Sequence, residues 1–310
     1  MFYLEKEKKC PRVSLIIPCR DERYYIRQTL QHILNVPAGA SYEIIVVDDG
    51  SGDGCCNFLR RGKLDTPEAS DTPGRPTIHL LTTSGLGVAR ARNLGAALAR
   101  APHLVFCDAH IIVSPGWLGG LIDSLEKGMF AAVCPGITFT GPLFYTVYGG
   151  TWNESLSWVG IREQPTGLQE IPLAPSGCLA VRKDVFRNVG GFEDGFRLWG
   201  YDDAEFSLKL WLFGFRVAVH PLVRIFHVAR PTPKYQLWGE HLVFNLLLMG
   251  LLHFSGHRLA KTVALAKSFP GFTPALYTQL FLKNGARRRK YMRRRVFNDD
   301  WFMKRFNIPL

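Results

Sequence analysis

The sequence predicts an α/β fold: a mostly parallel sheet flanked by helices, followed by a helical C-terminal extension. Three observations carry that expectation. Short runs of Val, Ile and Leu alternate with amphipathic stretches through the first two thirds of the 310 residues, as in parallel strands joined by helical crossovers. The strand runs are apolar throughout, as strands covered on both faces must be. Each run also ends in acids or small polar residues, and in open α/β sheets the ligand crevice lies outside the carboxyl ends of the strands.

Taken in order, residues 13–18 form a β-rich run that turns polar at Cys19-Arg20-Asp21-Glu22. Tyr25, Ile26, Leu30, Ile33 and Leu34 then fall at helical spacing, and Pro37 and Gly39 end that helix. A second buried strand over 42–47 ends in Asp48-Asp49-Gly50-Ser51. Residues 55–64 read as a short helix, 65–76 as a loop and 77–81 as a third strand. At Ser84-Gly85-Leu86-Gly87 a Gly-rich turn opens a helix running to about Arg100, carrying Arg90 and Arg92. Its N-terminus offers free N–H groups to an anion, although the turn is neither a Walker A loop nor a dinucleotide fingerprint in its usual place.

The next strand runs straight into Asp108-Ala109-His110. In extended backbone these two side chains leave on the same side. A carboxylate and one imidazole converging there suit a manganese-like ion, with zinc left open. An ordinary solvated strand end would also carry such a pair. A helix is expected over 116–125 and a strand over 130–134. Residues 138–169 are rich in aromatics, Gly and Pro without a steady period, which predicts a long excursion over the cleft. A strand follows Pro175-Ser176-Gly177, then a short helix over 182–189. Trp199-Gly200-Tyr201-Asp202-Asp203-Ala204-Glu205 precedes an amphipathic helix over 206–213. Three acids at a helix start favour the dipole, but the aromatic turn before them exceeds what capping needs. A strand is expected over 216–219, and His227 follows the apolar pair Ile225-Phe226.

Composition narrows the setting. Hydrophobic content of 47% is ample for a core. The seven cysteines follow no disulfide spacing, and the charged residues 1–10 contain no secretory apolar region. Together these suggest a reduced, cytoplasmic protein. The adjacent pair Cys55-Cys56 is not a CxxC, which argues against a structural zinc site. Net charge is +12, and residues 283–295 hold eight Lys or Arg and no acid. That run suits nucleic acid, anionic lipid, an acidic substrate or a solvated tail. No nucleic-acid module is recognisable, so none is expected as a partner.

Five stretches together resemble a nucleotide-sugar-dependent glycosyltransferase of the GT-A fold, family 2 and its relatives: Val-Ser-Leu-Ile-Ile-Pro-Cys-Arg-Asp-Glu (13–22), Glu-Ile-Ile-Val-Val-Asp-Asp-Gly-Ser-Gly-Asp (43–53), Gly-Val-Ala-Arg-Ala-Arg-Asn-Leu-Gly (87–95), Phe-Cys-Asp-Ala-His (106–110) and Trp-Gly-Tyr-Asp-Asp-Ala-Glu (199–205). The resemblance implies transfer of a hexosyl or N-acetylhexosaminyl group. It also implies that Pro18, Glu22, Asp48 or Asp49, Arg90 or Arg92, Asp108 and Gly177 line the nucleotide-sugar site, with a UDP-sugar as donor. Most members carry Asp-x-Asp at the metal position. Asp108-Ala109-His110 is similar to the variant in the polypeptide N-acetylgalactosaminyltransferases, where a later His completes the site. His227 matches that position, so Asp108, His110 and His227 are expected to hold Mn2+ (or Mg2+). Those retaining enzymes carry Glu-Asn after Trp-Gly-Gly, whereas this chain has Asp202-Asp203. The departure leans toward inversion, with Asp203 as base, Asp202 on sugar hydroxyls and Trp199 as a flat wall. A retaining, peptide-directed transferase and a sugar-nucleotide-binding protein with a degenerate site are the alternatives. A nucleotidyltransferase is disfavoured by the Pro-Cys-Arg-Asp-Glu after the first strand. The acceptor is a saccharide, a peptide or a lipid-linked molecule.

The transferase domain is expected over 1–232 and the basic helical extension over 233–310. The apolar stretch 242–254, broken by Asn245 and His253, has 13 residues, short of the roughly 20 needed to span a bilayer. It predicts a packed helix, with an interfacial helix as the second reading. Helices are expected over 258–268 and 274–295. Trp301, Phe302 and Phe306 beside the basic run would suit peripheral contact at the inner membrane face.

Overall fold

A computed structural model describes residues 10–62, 75–141, 144–228 and 239–310. The expected boundary at 232/233, with Pro231 and Pro233 beside it, and most of the 65–76 loop lie outside these residues. The first half of the chain runs β1 (Val13–Cys19), α1 (Ile26–Asn35), β2 (Tyr42–Asp49), α2 (Asn57–Arg60), β3 (Ile78–Thr83), α3 (Val88–Leu98), β4 (His103–Cys107), β5 (Ile111–Val113), α4 (Trp117–Glu126) and β6 (Ala132–Thr140). The strands β1, β2 and β4 are buried almost end to end, which explains their unbroken apolar runs. They pair in parallel with β3 in the order β4-β1-β2-β3. The carboxyl ends of β1, β2 and β4 therefore share one edge, where the polar residues after them collect.

The second half departs from a parallel sheet. The excursion after β6 contains four short strands: β7 (Tyr145–Val147), β8 (Gly150–Trp152), β9 (Trp158–Gly160) and β10 (Gln169–Glu170). It reaches the core through Trp152 and Leu156, both buried. The next strand, β11 (Cys178–Arg182), runs antiparallel between β4 and β6. After α5 (Lys183–Val189) and α6 (Asp202–Leu212) comes β12 (Val217–Val228). The sequence suggested a strand over 216–219 and an isolated His227; β12 is one strand with a register shift between His220 and Arg224. The shift accommodates Pro221-Leu222-Val223, which had hidden the continuity. β12 lies parallel to β6 and antiparallel to the short β5, which puts His227 opposite Ile111. That pairing brings the end of β12 to the strand end of β4.

Four helices follow: α7 (Glu240–His253), α8 (Gly256–Ala266), α9 (Pro274–Arg294) and α10 (Asp299–Arg305). Among the described residues no helix is long and apolar enough to cross a membrane. The stretch 242–254 packs inside, as expected: Leu246, Leu247, Leu251 and Phe254 join Phe192, Phe206 and Leu210 in one hydrophobic cluster. Asn245 and His253, which interrupt the apolar run, are themselves buried. His253 shares a hydrogen bond with Glu205 at 2.8 Å, and Lys209 lies 3.2 Å from the same carboxylate, all fully buried. Glu205 thus locks α6 to α7 and takes no part in the cleft.

The aromatics beyond the basic run are not free for lipid. Phe302 is fully buried, Phe306 packs edge-on against Trp211, and Trp301 stacks on Phe297 at 3.8 Å. Half of the basic run is likewise engaged by the protein itself. Arg287 pairs with Glu193, and Arg288 donates to the Leu251 and Phe254 carbonyls. Arg294 donates to the Asn188 carbonyl, and Arg295 lies 3.5 Å from Asp299. These arginines cap the end of α7 and tie α9 to the rest; a helix C-terminus attracts cations.

Candidate active site

A cavity of about 670 Å³ opens at the shared strand edge, a size suited to a nucleotide sugar. Pro18, Glu22, Asp49, Arg92, Asp108, His110, Gly177, Trp199, Asp202, Asp203 and His227 all line it. Of the site residues expected from sequence, only Asp48 and Arg90 do not.

The metal-type cluster sits at the end of β4. One ligand atom from each of Asp108, His110 and His227 lies within 4.8 Å of the others. The His227 Nε2 is 3.2 Å from Asp108 Oδ2, and the two imidazoles meet edge to face with centroids 4.5 Å apart. His110 Nε2 is buried without a hydrogen-bond partner, an expensive arrangement unless something else engages it. Burial alone would raise the Asp108 carboxyl, but the hydrogen bond from His227 and the charges of His110 and Arg92 hold it well below the usual range. It is therefore an anion at any physiological pH. A carboxylate and two imidazoles, with both ring nitrogens of His110 and the Nδ1 of His227 making no hydrogen bond, fit a hard-to-borderline divalent cation.

Two neighbours keep this corner in shape. Glu22, which also lines the cavity, has its Oε1 3.3 Å from His110 Nδ1, where it can orient the ring. A carboxylate behind a ligating imidazole fixes the ring's orientation. A Cβ on Gly177 would sit 3.1 Å from Asp108 Oδ2 and 3.6 Å from the His227 ring. A side chain there would crowd the Asp108 carboxylate, which would have to shift by a few tenths of an ångström.

The acids of β2 divide by strand alternation. Asp49 points to the start of α3, where its carboxylate accepts from the Leu86 and Gly87 amides at 2.6 and 2.8 Å and from Thr83 Oγ1. The anion at this helix N-terminus is thus the protein's own, and the Val88 amide is taken by the Leu198 carbonyl at 2.8 Å. The expectation that these amides serve a phosphate is corrected accordingly. Asp48 points to the other face, toward Arg60 at 2.8 Å and the Ser51 amide at 3.0 Å. Arg90 is exposed and donates to the Asp194 carbonyl, two residues along the helix from Arg92 and on a different face. Of the two arginines, Arg92 alone reaches the cavity.

Arg92 separates the acids of the second motif. It is buried and pairs through one nitrogen with Asp202 and through the other with Asp108 at 3.3 Å. The charge of Asp202 is thereby matched, and Asp202 also accepts from the Gly200 amide. Asp203 has no cation against it among the described ion pairs; it accepts from the Ala204 amide. Burial, then the charge of Asp202, pushes its carboxyl up to about 7. Near neutral pH, such a group can both accept and release a proton.

The turn that delivers these acids is unusual. Leu198, Gly200 and Tyr201 all have positive φ, at 43°, 102° and 64°, a conformation that costs energy for Leu and Tyr. At Gly200 a Cβ would meet Leu242 Cδ2 at 2.3 Å. The turn is held by a residue whose role sequence reasoning missed. Asn245 of α7 donates to the carbonyls of Arg197, Trp199 and Gly200 and accepts from the Arg197 amide, at 2.8–3.2 Å. A lone amide inside an otherwise apolar helical run was the available signal. Trp199 itself stays 42% exposed at the cavity mouth.

Comparison with known proteins agrees with this architecture. The glycosyl transferase family 2 model matches residues 14–190, and a model described as the N-terminal domain of galactosyltransferase matches 170–240. The probable N-acetylgalactosaminyltransferase 6 of Caenorhabditis elegans is 29% identical over 249 residues, covering 74% of this chain and 39% of the relative. Human polypeptide N-acetylgalactosaminyltransferase 10 is 28% identical over 254 residues, covering 76% and 41%. The chain thus spans about two fifths of the length of these curated relatives. Among solved structures, GalNAc-T7 with UDP, GalNAc and Mn2+ superposes with a TM-score of 0.73 at 16% identity, covering 97% of this chain and 57% of that one. A Pyrobaculum calidifontis mannosyltransferase with GDP-Man and Mn2+ gives 0.52 at 19% identity, covering 93% and 74%. With its family model matched across more than half its length, and with a GT-A-like sheet beneath the matched residues, the chain belongs to glycosyl transferase family 2.

Proposed function

We propose that the protein is a metal-dependent glycosyltransferase that moves a sugar from a nucleoside-diphosphate sugar, a UDP-sugar in the first instance, to an acceptor nucleophile. The observation that carries this reading is the meeting of Asp108, His110 and His227 in one cavity with an unpaired carboxylate, Asp203. Asp108, His110 and His227 would hold Mn2+ or Mg2+. Bound there, the ion would supply Lewis acidity toward the departing diphosphate. That two structurally similar enzymes were solved with Mn2+ and a sugar nucleotide or its parts supports the choice of ion.

The protein's own groups do the rest. Arg92, buried between Asp108 and Asp202, would hold both carboxylates in place and offset part of their negative charge beside the diphosphate region. Trp199 presents an apolar wall at the mouth. Asp202, held by Arg92, is placed to accept hydrogen bonds from sugar hydroxyls. Asp203 takes the proton of the acceptor as it attacks the anomeric carbon, and the bond to the diphosphate oxygen breaks. A base on the face opposite the leaving group inverts the configuration. Asp203 is preferred over Asp202 because arginine already occupies the carboxylate of Asp202.

A second reading is a retaining, peptide-directed transferase, favoured by the polypeptide N-acetylgalactosaminyltransferases among the relatives. Incubation with a panel of nucleotide sugars and Mn2+ tests both, because such enzymes commonly turn over slowly on water. Anomer-resolved NMR of the product then separates inversion from retention. Absence of metal-dependent turnover with every donor would leave a sugar-nucleotide-binding protein as the better reading. The division into a transferase domain over 1–232 and an extension over 233–310, and a cytoplasmic placement at the inner membrane face, belong to the same proposal. The outward face of α9, with Lys283, Arg289, Lys290 and Arg293 exposed, is the part of the basic run available for such contact.

A further inference from the structure

The acid of β2 that turns away from the cavity, Asp48, enters a second cluster of metal-binding side chains. Cys19 ends β1, and Cys55 and Cys56 lead into α2. The Cys19 and Cys56 sulfurs are 3.3 Å apart, and those of Cys55 and Cys56 are 3.8 Å apart. With one Asp48 oxygen, all four ligand atoms lie within 4.8 Å of one another. All four residues are buried, between 0 and 5% exposed.

Geometry and chemistry agree on what this cluster suits. In a tetrahedral site with zinc–sulfur bonds of about 2.3 Å, sulfurs are about 3.8 Å apart. The thiols already stand near that spacing. Asp48 is oriented by the Ser51 amide and by Arg60, the outer support a ligating carboxylate needs. The Arg60 charge would offset part of the excess negative charge of three thiolates and a carboxylate. Sequence spacing argued against zinc here because the ligands come from two separate strand ends and an adjacent pair. Parallel pairing of β1 with β2 sets Cys19 directly opposite Asp48.

We propose that Cys19, Cys55, Cys56 and Asp48 form a second metal site, distinct from Asp108, His110 and His227, that takes a thiophilic divalent cation, zinc foremost. Binding releases the thiol protons into solvent as sulfur–metal bonds form. The site would staple the β1–α1 turn to the β2–α2 loop. These segments already touch where Asp21 Oδ1 accepts from the Gly52 amide at 2.8 Å. Pro18 at the end of β1 and Glu22 in the turn after it both line the cavity, so the staple would stiffen one wall of it.

The test is a Co2+ titration of the full chain, reduced and stripped of metal with a chelator. One equivalent should produce thiolate-to-cobalt charge-transfer absorption in the near ultraviolet together with the strong visible bands of tetrahedral cobalt. Added Zn2+ should abolish both. Cys56→Ser should weaken the near-ultraviolet absorption, with Cys56→Ala as the replacement if that variant misfolds. His227→Ala should keep it, since an Asp-His-His site contributes no thiolate. No charge-transfer absorption in the reduced wild-type chain would overturn the proposal. So would undiminished absorption in a folded Cys55→Ser/Cys56→Ser variant.

Discussion

Replacing Asn245 with Ala tests whether the C-terminal helices set the geometry of the proposed catalytic turn. Asn245 is fully buried and makes four hydrogen bonds to residues 197–200. The bond to the Gly200 carbonyl is fully buried, and its loss leaves an orphan acceptor costing about 1–2 kcal/mol. The three bonds to Arg197 and Trp199 are partly open to water, which can replace them, so about 0.5 kcal/mol each is appropriate. The sum, about 3 kcal/mol, is a large part of a stability of about 5–15 kcal/mol and corresponds to a fall in Tm of about 5–8 °C. The consequence for turnover is separate. Leu198 and Tyr201 sit at positive φ and will relax once the clamp is gone, moving Trp199 and the start of α6. A shift of about 1 Å in a reacting group can cost about 100-fold. Donor-dependent hydrolysis measured below the lowered Tm should therefore show a much reduced kcat, while UDP binding in the presence of Mn2+ stays nearly unchanged, because Asp108, His110 and His227 lie on other elements. A wild-type kcat in a variant of lowered Tm would refute the positioning role and leave Asn245 as packing alone.

Other expectations rest on the same geometry. Asp203→Asn should cut transfer by at least about 100-fold while leaving nucleotide binding measurable by calorimetry. Because the Asp203 carboxyl is raised, its charged form costs the fold stability above the ordinary carboxylate pKa. The Asn variant should thus melt higher than wild type at pH 8, with the gain vanishing toward pH 4. In the wild type, kcat should fall as pH drops through about 7, as Asp203 becomes protonated; a flat profile from pH 6 to 8 with chemistry rate-limiting would remove it as base. Gly177→Ala brings a methyl to 3.1 Å from Asp108 Oδ2, and should weaken Mn2+ affinity by about 10-fold or more with little change in Tm. Arg92→Met strands the buried Asp202 and should cost about 3–5 kcal/mol in chemical denaturation.

How far the sequence could be read depended on whether the signal was local. The strands β1, β2 and β4 were legible because burial on both faces demands unbroken apolar runs. The meeting of Asp108 with His110 was expected from alternation, but β4 ends at Cys107 and a bend at 109–110, not extended strand, separates the two. His227 was reachable only through family resemblance, since 117 positions separate it from His110 and a three-residue strand, β5, makes the connection. β11 could not be told from a parallel strand, because direction leaves no trace in an apolar run flanked by helices. Charge was the least reliable guide. Arg287, Arg288 and Arg295 read as a solvated or membrane-facing run, yet they cap a helix end and pair with Glu193 and Asp299. A basic residue reports its surroundings only when the partner carbonyl or acid is known, and those partners lie 4 to 94 positions away.

The division of labour between Asp202 and Asp203 shows how one helix start can hold two different carboxylates. Consecutive residues on a helix point about 100° apart. Asp202 is therefore carried into Arg92, which matches its charge, while Asp203 is carried into the cavity, where burial and the charge of Asp202 raise it. The cation that holds the first acid reaches the second only weakly, and the first acid's remaining field helps tune its neighbour. The two environments can be made alike without touching either acid. Arg92→Met removes the cation and leaves the two acids side by side without it. Because the arginine charge opposes the rise of Asp203, its removal should move the kcat–pH profile to higher pH. If inversion depends on Asp203 alone, the product anomer should stay the same through that move. A change of product anomer would mean that the arginine, rather than the placement of the acids, selects which face of the sugar is attacked.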